Sequence, residues 1–184
     1  MFWSNTQNLY PRTYSCGHCG NQVASAAGYA SNSNDNLYIC PMCTKPTFLG
    51  VSWQIPGILP GRSVNHLPED IAALYKEARE CAGAGAYTGS VLLCRKLLMN
   101  IGVKEGADEG KSFVYYVDFL AEKGYVPPNG RGWVDHIRKK GNEATHEIAL
   151  MVGTDSDELI TFTEMLLKFV YEFPNSIASS TTPR

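Results

Sequence analysis

Two hydrophobic periods divide the chain. Before residue 54, apolar positions come in short runs at alternate or near-alternate spacing, and three segments read as strands: Arg12-Thr-Tyr-Ser15, Leu37-Tyr-Ile39 and Thr47-Phe-Leu-Gly-Val-Ser-Trp53. Gly20 to Asn36 is rich in Asn, Ser, Ala and Gly and reads as a long hairpin tip. Val51 to Pro68 carries Pro56, Gly57, Pro60, Gly61 and Pro68, which marks a boundary. Beyond it the apolar residues return every three or four positions, as amphipathic helices require.

Pro68, Glu69 and Asp70 suit the first turn of a helix whose stripe is Ile71, Leu74, Tyr75, Ala78, Cys81 and Ala82, ending near Gly83 and Gly85. Thr88 or Gly89 starts a second, with Val91, Leu92, Cys94, Leu97, Leu98 and Ile101 on a wide face. After a Gly-rich, charged loop, Ser112 caps a third carrying Phe113, Tyr116, Val117, Leu120 and Ala121, stopped by Gly124. A fourth runs from about Gly130 to Met151, with Trp133, Ile137, Ala144, Ile148 and Met151 inward. Capping-box-like pairs at Thr154/Asp157 and Asp155/Glu158 introduce a fifth, in which Leu159, Phe162, Thr163, Leu166, Phe169, Val170 and Phe173 repeat up to Pro174. The expected fold is therefore mostly α, a bundle of about five helices behind a small N-terminal β ribbon. Residues 1–53 form the ribbon, 54–67 a linker, 68–173 the bundle and 174–184 a flexible tail.

Composition changes this picture little. With 44% hydrophobic and 18% charged residues among 184, the chain is neither disordered nor fibrous. It has no apolar run of membrane-spanning length, and Met1 to Tyr10 has no basic start before an apolar stretch, so the expected location is the cytoplasm, away from membranes. A net charge of −2 argues against coating nucleic acid through bulk positive potential. Lys123, Arg131, Arg138, Lys139 and Lys140 nonetheless concentrate positive charge against the single Asp135, just before an acidic stretch with Glu143 and Glu147. That segment is either a solvated helix with internal ion pairs or a local phosphate-binding patch. No G-x-G-x-x-G or G-x-x-x-x-G-K-[ST] loop is present to cradle a nucleotide.

The cysteines carry the clearest chemistry. Cys16-Gly17-His18-Cys19 and Cys40-Pro41-Met42-Cys43 are two C-x-x-C knuckles at the spacing of a four-thiolate zinc ribbon. Each knuckle lets two thiolates reach one metal from a tight turn, for which Gly17, Gly20 and Pro41 are suited. One structural Zn²⁺ per chain on Cys16, Cys19, Cys40 and Cys43 is expected in preference to two disulfides, which belong to oxidising compartments. Four sulfurs fill all positions of the ion, so it holds the fold and leaves no place for substrate. His18 reads as a turn residue, and Cys81 and Cys94 as small hydrophobes on helices. Tyr10, Tyr14, Tyr29, Tyr38, Phe48 and Trp53 are first a miniature core, with some available to stack bases.

On the fourth helix Arg138, Asn142 and His146 stand at i, i+4 and i+8, along one face. A histidine can move a proton, an asparagine can hold a ribose or phosphate oxygen, and an arginine can neutralise phosphate, a set suited to metal-free RNA cleavage. The same stripe also serves as an ordinary helix–helix hydrogen-bond network. Asp70-Ile-Ala-Ala-Leu-Tyr-Lys-Glu-Ala, Ser90-Val-Leu-Leu-Cys-Arg-Lys-Leu-Leu, Ile137-Arg-Lys-Lys-Gly-Asn-Glu-Ala-Thr-His146 and Phe162-Thr-Glu-Met-Leu-Leu resemble a bacterial and phage family of helical domains classed as of unknown function, DUF4145. The resemblance spans about residues 64 to 173, and that family is similar to the HEPN superfamily of helical bundles. HEPN proteins include RNA-cleaving toxins and anti-phage effectors that often dimerise around an Arg-Asn-x-x-x-His motif. Asn142 and His146 match its Asn and His, while its Arg position falls on Gly141, with Arg138 one turn earlier.

The resemblance implies a HEPN-like bundle, a homodimer, and one of two activities. One is a metal-independent endoribonuclease with a composite site of His146, Asn142 and Arg138 from two chains. The other, favoured because net acidity and the displaced arginine count against cutting, is a non-cutting RNA- or protein-binding module in phage–host conflict or RNA metabolism. A purely structural adaptor, with ribbon and bundle each facing a protein partner, is the third reading.

Overall fold

A computed structural model of the protein describes residues 3–126, 132, 134–137, 139 and 150–180. The chain divides into two compact units, Met1–Leu59 with Gly83–Gly85, and Pro60–Ala82 with Ala86–Arg184.

The first unit is a five-stranded antiparallel meander in the order β1-β2-β3-β4-β5. Its strands are β1 (Gln7–Ser15), β2 (Gln22–Tyr29), β3 (Asn36–Ile39), β4 (Pro46–Leu49) and β5 (Gln54–Ile55). Tyr14 faces Val23 across β1 and β2, and the register shifts between Asn8 and Arg12, around Pro11. A proline has no N–H for the ladder, which is why an irregularity is tolerated there. The stretch expected to be one long hairpin tip is instead mostly strand. Its small side chains mask the pattern from a compositional reading, yet Val23, Ser25 and Gly28 are buried while Gln22, Ala24 and Ala27 are exposed. Gly28 is needed at its position, because a Cβ would stand 1.9 Å from the Leu37 carbonyl oxygen. The core beneath is small: Tyr14, Cys16, Val23, Tyr38, Cys40 and Leu49.

The second unit contains α1 (Glu69–Gly83), α2 (Tyr87–Lys104), α3 (Phe113–Glu122), α4 (Gly153–Leu167), a π-helical segment Lys168–Glu172, and α5 (Phe173–Ser180). Residues 132, 134–137 and 139, within the expected fourth helix, are also helical. None of the helices among the described residues is long and apolar enough to cross a membrane. One core joins the elements, including Ile71, Tyr75, Val91, Leu98, Phe113, Leu120, Ile137, Phe162 and Leu166. The predicted stripes supply most of it, with Leu92 an exception at 43% exposure. Ser112 caps α3 by accepting the Tyr115 N–H at 3.3 Å. At the start of α4 the box is half formed: the Asp155 carboxylate accepts the Val152 N–H at 3.1 Å, but Val152 has no oxygen with which to reciprocate.

Pro174, expected to end the last helix, does not stop it. The chain passes through the wider π turn, where the Phe173 N–H bonds to the Lys168 carbonyl, and continues helical to Ser180. Proline lacks the N–H and crowds the carbonyl four residues back, and a wide turn just before it relieves that crowding. One inserted residue also turns the following face by about 100°. The stripe that buries Leu159, Phe162 and Leu166 consequently leaves Phe169 and Phe173 exposed by 41% and 46%.

The proline- and glycine-rich stretch from 54 to 67 has two fates. Gln54–Ile55 joins the sheet as β5. From Pro60 onward the backbone is tied to the helices: Arg79 donates to the Pro60 and Gly61 carbonyls, Tyr75 to the Arg62 carbonyl, and Glu164 and Glu172 accept the N–H groups of Arg62 and Asn65.

Between α2 and α4 the Ser156 hydroxyl donates to that of Ser90 at 2.8 Å, both fully buried. Ser156→Ala should cost about 1–3 kcal/mol by leaving Ser90 without its partner, and adding Ser90→Ala should recover part of the loss. Chemical denaturation followed by helical circular dichroism checks the cycle, and additive losses would contradict the pairing.

Candidate metal centre

Two knuckles with the same backbone geometry build the site. In the first, the Gly20 N–H bonds to the Cys16 carbonyl at 2.8 Å and the Cys16 N–H to the Asn21 carbonyl at 2.9 Å. In the second, the Thr44 N–H bonds to the Cys40 carbonyl at 2.9 Å and the Cys40 N–H to the Lys45 carbonyl at 3.0 Å. The residue that closes each turn is left-handed, Gly20 at φ 73° and Thr44 at φ 59°. The glycine is readable from sequence as a turn former, whereas the threonine gives no such signal. Gly17 sits where a Cβ would meet the Gly57 and Pro56 carbonyl oxygens at 2.3 and 2.4 Å. Gln54 bridges the Ser15 and Pro56 carbonyls at 3.0 and 2.9 Å, which secures β5 beside the first knuckle.

The knuckles bring the Sγ atoms of Cys16, Cys19, Cys40 and Cys43 within 4.8 Å of one another. Cys16 and Cys43 are 3.7 Å apart and Cys19 and Cys40 3.9 Å. A tetrahedron with metal–sulfur bonds of about 2.3 Å has edges of about 3.8 Å, so these two pairs are already at the spacing one ion requires. All four cysteines are free, at separations far above the roughly 2.05 Å of a disulfide. Four cysteines from two turns can hold a metal ion.

The surroundings suit sulfurs that carry negative charge. The His18 N–H points to the Cys16 sulfur at 3.4 Å and the Asn21 amide to the Cys19 sulfur at 3.5 Å. The ring of His18 is engaged elsewhere, its Nε2 2.9 Å from the Pro46 carbonyl, in keeping with a turn residue. The hydroxyls of Tyr14 and Thr47 are buried beside one another near the cluster, and neither has a further hydrogen-bond partner among the described residues. Burial, and then the neighbouring Cys40 and Cys16, push Tyr14 up to about 12. Burial also pushes the Cys43 thiol up to about 12, so a cation must displace its proton. Sequence reasoning found the four cysteines but not Asn21, Tyr14 or Thr47, whose roles depend on what folds beside them.

The other cysteines behave as packing residues. Cys94 lies in the helical core, its thiol pushed up to about 12 by burial, and Cys81 is half-buried on α1. Arg138, Asn142 and His146 all lie outside the described residues, as do Trp133, Ala144 and Ile148, while Ile137 and Met151 are buried as expected. Among the described residues, the four cysteines form the one group of three or more His, Cys, Asp or Glu side chains placed to hold a metal.

Fold and site together define a two-unit protein, a four-cysteine β-sheet unit followed by a unit of packed helices. Residues 76–180 match the model of a family described as a domain of unknown function (DUF4145), and the chain belongs to that family. No curated protein and no solved structure is detectably similar to it.

Proposed function

We propose that the protein is a zinc-ribbon and helical binding module that engages RNA without cutting it. The observation that carries the proposal is the clustering of the four knuckle sulfurs within 4.8 Å of one another, which supports a closed structural centre in the first unit. Zn²⁺ suits an all-sulfur tetrahedron, and with four thiolates the centre carries about −2. Such an ion has no open position for water or substrate. Its part is to hold Cys16, Cys19, Cys40 and Cys43, and with them the sheet.

Any ligand chemistry then falls to the helical unit and to exposed aromatics. The DUF4145 segment is similar to HEPN bundles, and the Asn142/His146 pair supports RNA as the ligand class. Gly141 in the motif's Arg position supports binding over cleavage. The module acts as a homodimer in the cytoplasm, in phage–host conflict or RNA metabolism. The endoribonuclease reading, with Arg138, Asn142 and His146 in a composite site, is the alternative.

A labelled single-stranded RNA separates the two. The expected result is retention of intact RNA, with His146→Ala weakening binding severalfold while the melting temperature stays within about 2 °C. Robust cleavage that His146→Ala abolishes would establish the nuclease instead.

A further inference from the structure

Four arginines lie among the described residues, and three are accounted for. Arg62 is exposed to water. Arg12 donates to the Gly50 carbonyl at 3.1 Å. Arg79, buried on α1, gives Nε and Nη2 to the Pro60 and Gly61 carbonyls at 2.7 and 2.9 Å and lies over the Tyr75 ring.

Arg95 differs. It follows the buried Cys94 on α2, one turn beyond the buried Val91. Its guanidinium carbon stands 4.5 Å from the ring centre of Phe113, the first residue of α3. Its Nη1 is buried and has no hydrogen-bond partner. Lys111, which precedes α3, is paired with Asp108, whereas no carboxylate among the described residues pairs with Arg95. Burial lowers its pKa, but a guanidinium keeps its proton in a protein.

An unpaired cation at the edge of an apolar core is costly, and a methionine would fill the same reach at no such cost. The Phe113 ring gives the guanidinium a cation–π contact but no hydrogen-bond acceptor. A guanidinium packed against a ring, with no acceptor among the described residues for its Nη1, has donors to offer an oxyanion. We infer that the half-buried Arg95 binds a phosphate group of the protein's ligand through its guanidinium N–H donors, with the Phe113 ring packed against it. The choice of phosphate rests on the RNA-binding reading, since RNA presents a phosphate at every nucleotide.

Inorganic phosphate tests the site without RNA. Thermal unfolding of the full chain, followed at the helical signal, is compared in phosphate, acetate and chloride at equal ionic strength. Phosphate at tens of millimolar should raise the wild-type melting temperature by about 3 °C over chloride. Arg95→Met should remove the increment, Arg95→Lys should cut it to less than half, and Lys96→Met should leave it intact. An equal phosphate increment in Arg95→Met or Arg95→Lys, no increment in wild type, or an acetate increment as large as that of phosphate would overturn the inference. Binding of a labelled oligouridine, expected to weaken about tenfold in Arg95→Met, is read separately. If wild type binds no oligouridine, the RNA reading falls while an Arg95-dependent phosphate increment still upholds the site.

Discussion

Cys40→Ser should unfold the β-sheet unit and leave the helical unit folded. The sheet has six core residues, of which Cys16 and Cys40 are themselves metal ligands in our proposal, so losing the ion removes the anchor and part of the core together. Structural zinc in ribbon-like peptides contributes about 10–16 kcal/mol at neutral pH, more than so small an apolar cluster can replace. The helical unit draws on a separate core from Ile71 to Leu167 and includes none of the four cysteines. The expected record is loss of β-sheet amide dispersion in NMR spectra with helical circular dichroism nearly unchanged. Stripping the metal with a strong chelator should reproduce it, and restored zinc should reverse it. Collapse of both units together would show that the helices depend on the ribbon.

Phe162→Ala should have the opposite distribution. Phe162 is fully buried on α4, in the core that also contains Leu98 of α2 and Leu120 of α3. Removing its ring gives up the transfer energy of a large aromatic and leaves a cavity that a well-packed core refills only in part, together about 3–5 kcal/mol. At the size of this unit that lowers the helical melting transition by more than about 10 °C. The zinc content should not change. Differential scanning calorimetry paired with elemental analysis checks both statements. A shift below about 3 °C would mean that Phe162 is not as enclosed as its burial indicates.

How much of this was legible in the sequence depended on the kind of signal. The four-cysteine cluster was readable because ligand spacing is a chemical requirement: two thiolates three positions apart can share one ion from a single turn, and the two knuckles proved alike in their backbone bonds. The buried stripes of α1, α2 and α3 were readable because a helix repeats its core face every three or four residues. β2 was not, since Ala24, Ser25, Ala26, Ala27 and Gly28 have the composition of a loop and show their place only once paired with Asn8, Arg12 and Thr13 of β1 and, at Gly28, with Tyr38 of β3. The left-handed Thr44 gave no warning, because its conformation is imposed by the knuckle it closes.

The π segment was also beyond local reading. Pro174 argued for an end to the helix, whereas a wider turn before it lets the chain continue helical through it. Arg79 and Arg95 carry no local signal that separates them. The fold does, giving Arg79 two carbonyls from the Pro60–Gly61 strap and leaving the Nη1 of Arg95 without a partner. The strap itself, rich in proline and glycine, could not announce that its polar groups would be taken up by Tyr75, Glu164 and Glu172.

The central claim is that the four cysteines form one closed zinc centre. Native mass spectrometry of the full chain, purified without added metal, tests it most directly. The account predicts a single mass increment for one zinc per chain, with the four cysteines unreactive towards alkylating reagent until the metal is removed. A metal-free chain, or one in which these cysteines are joined as disulfides, would contradict it.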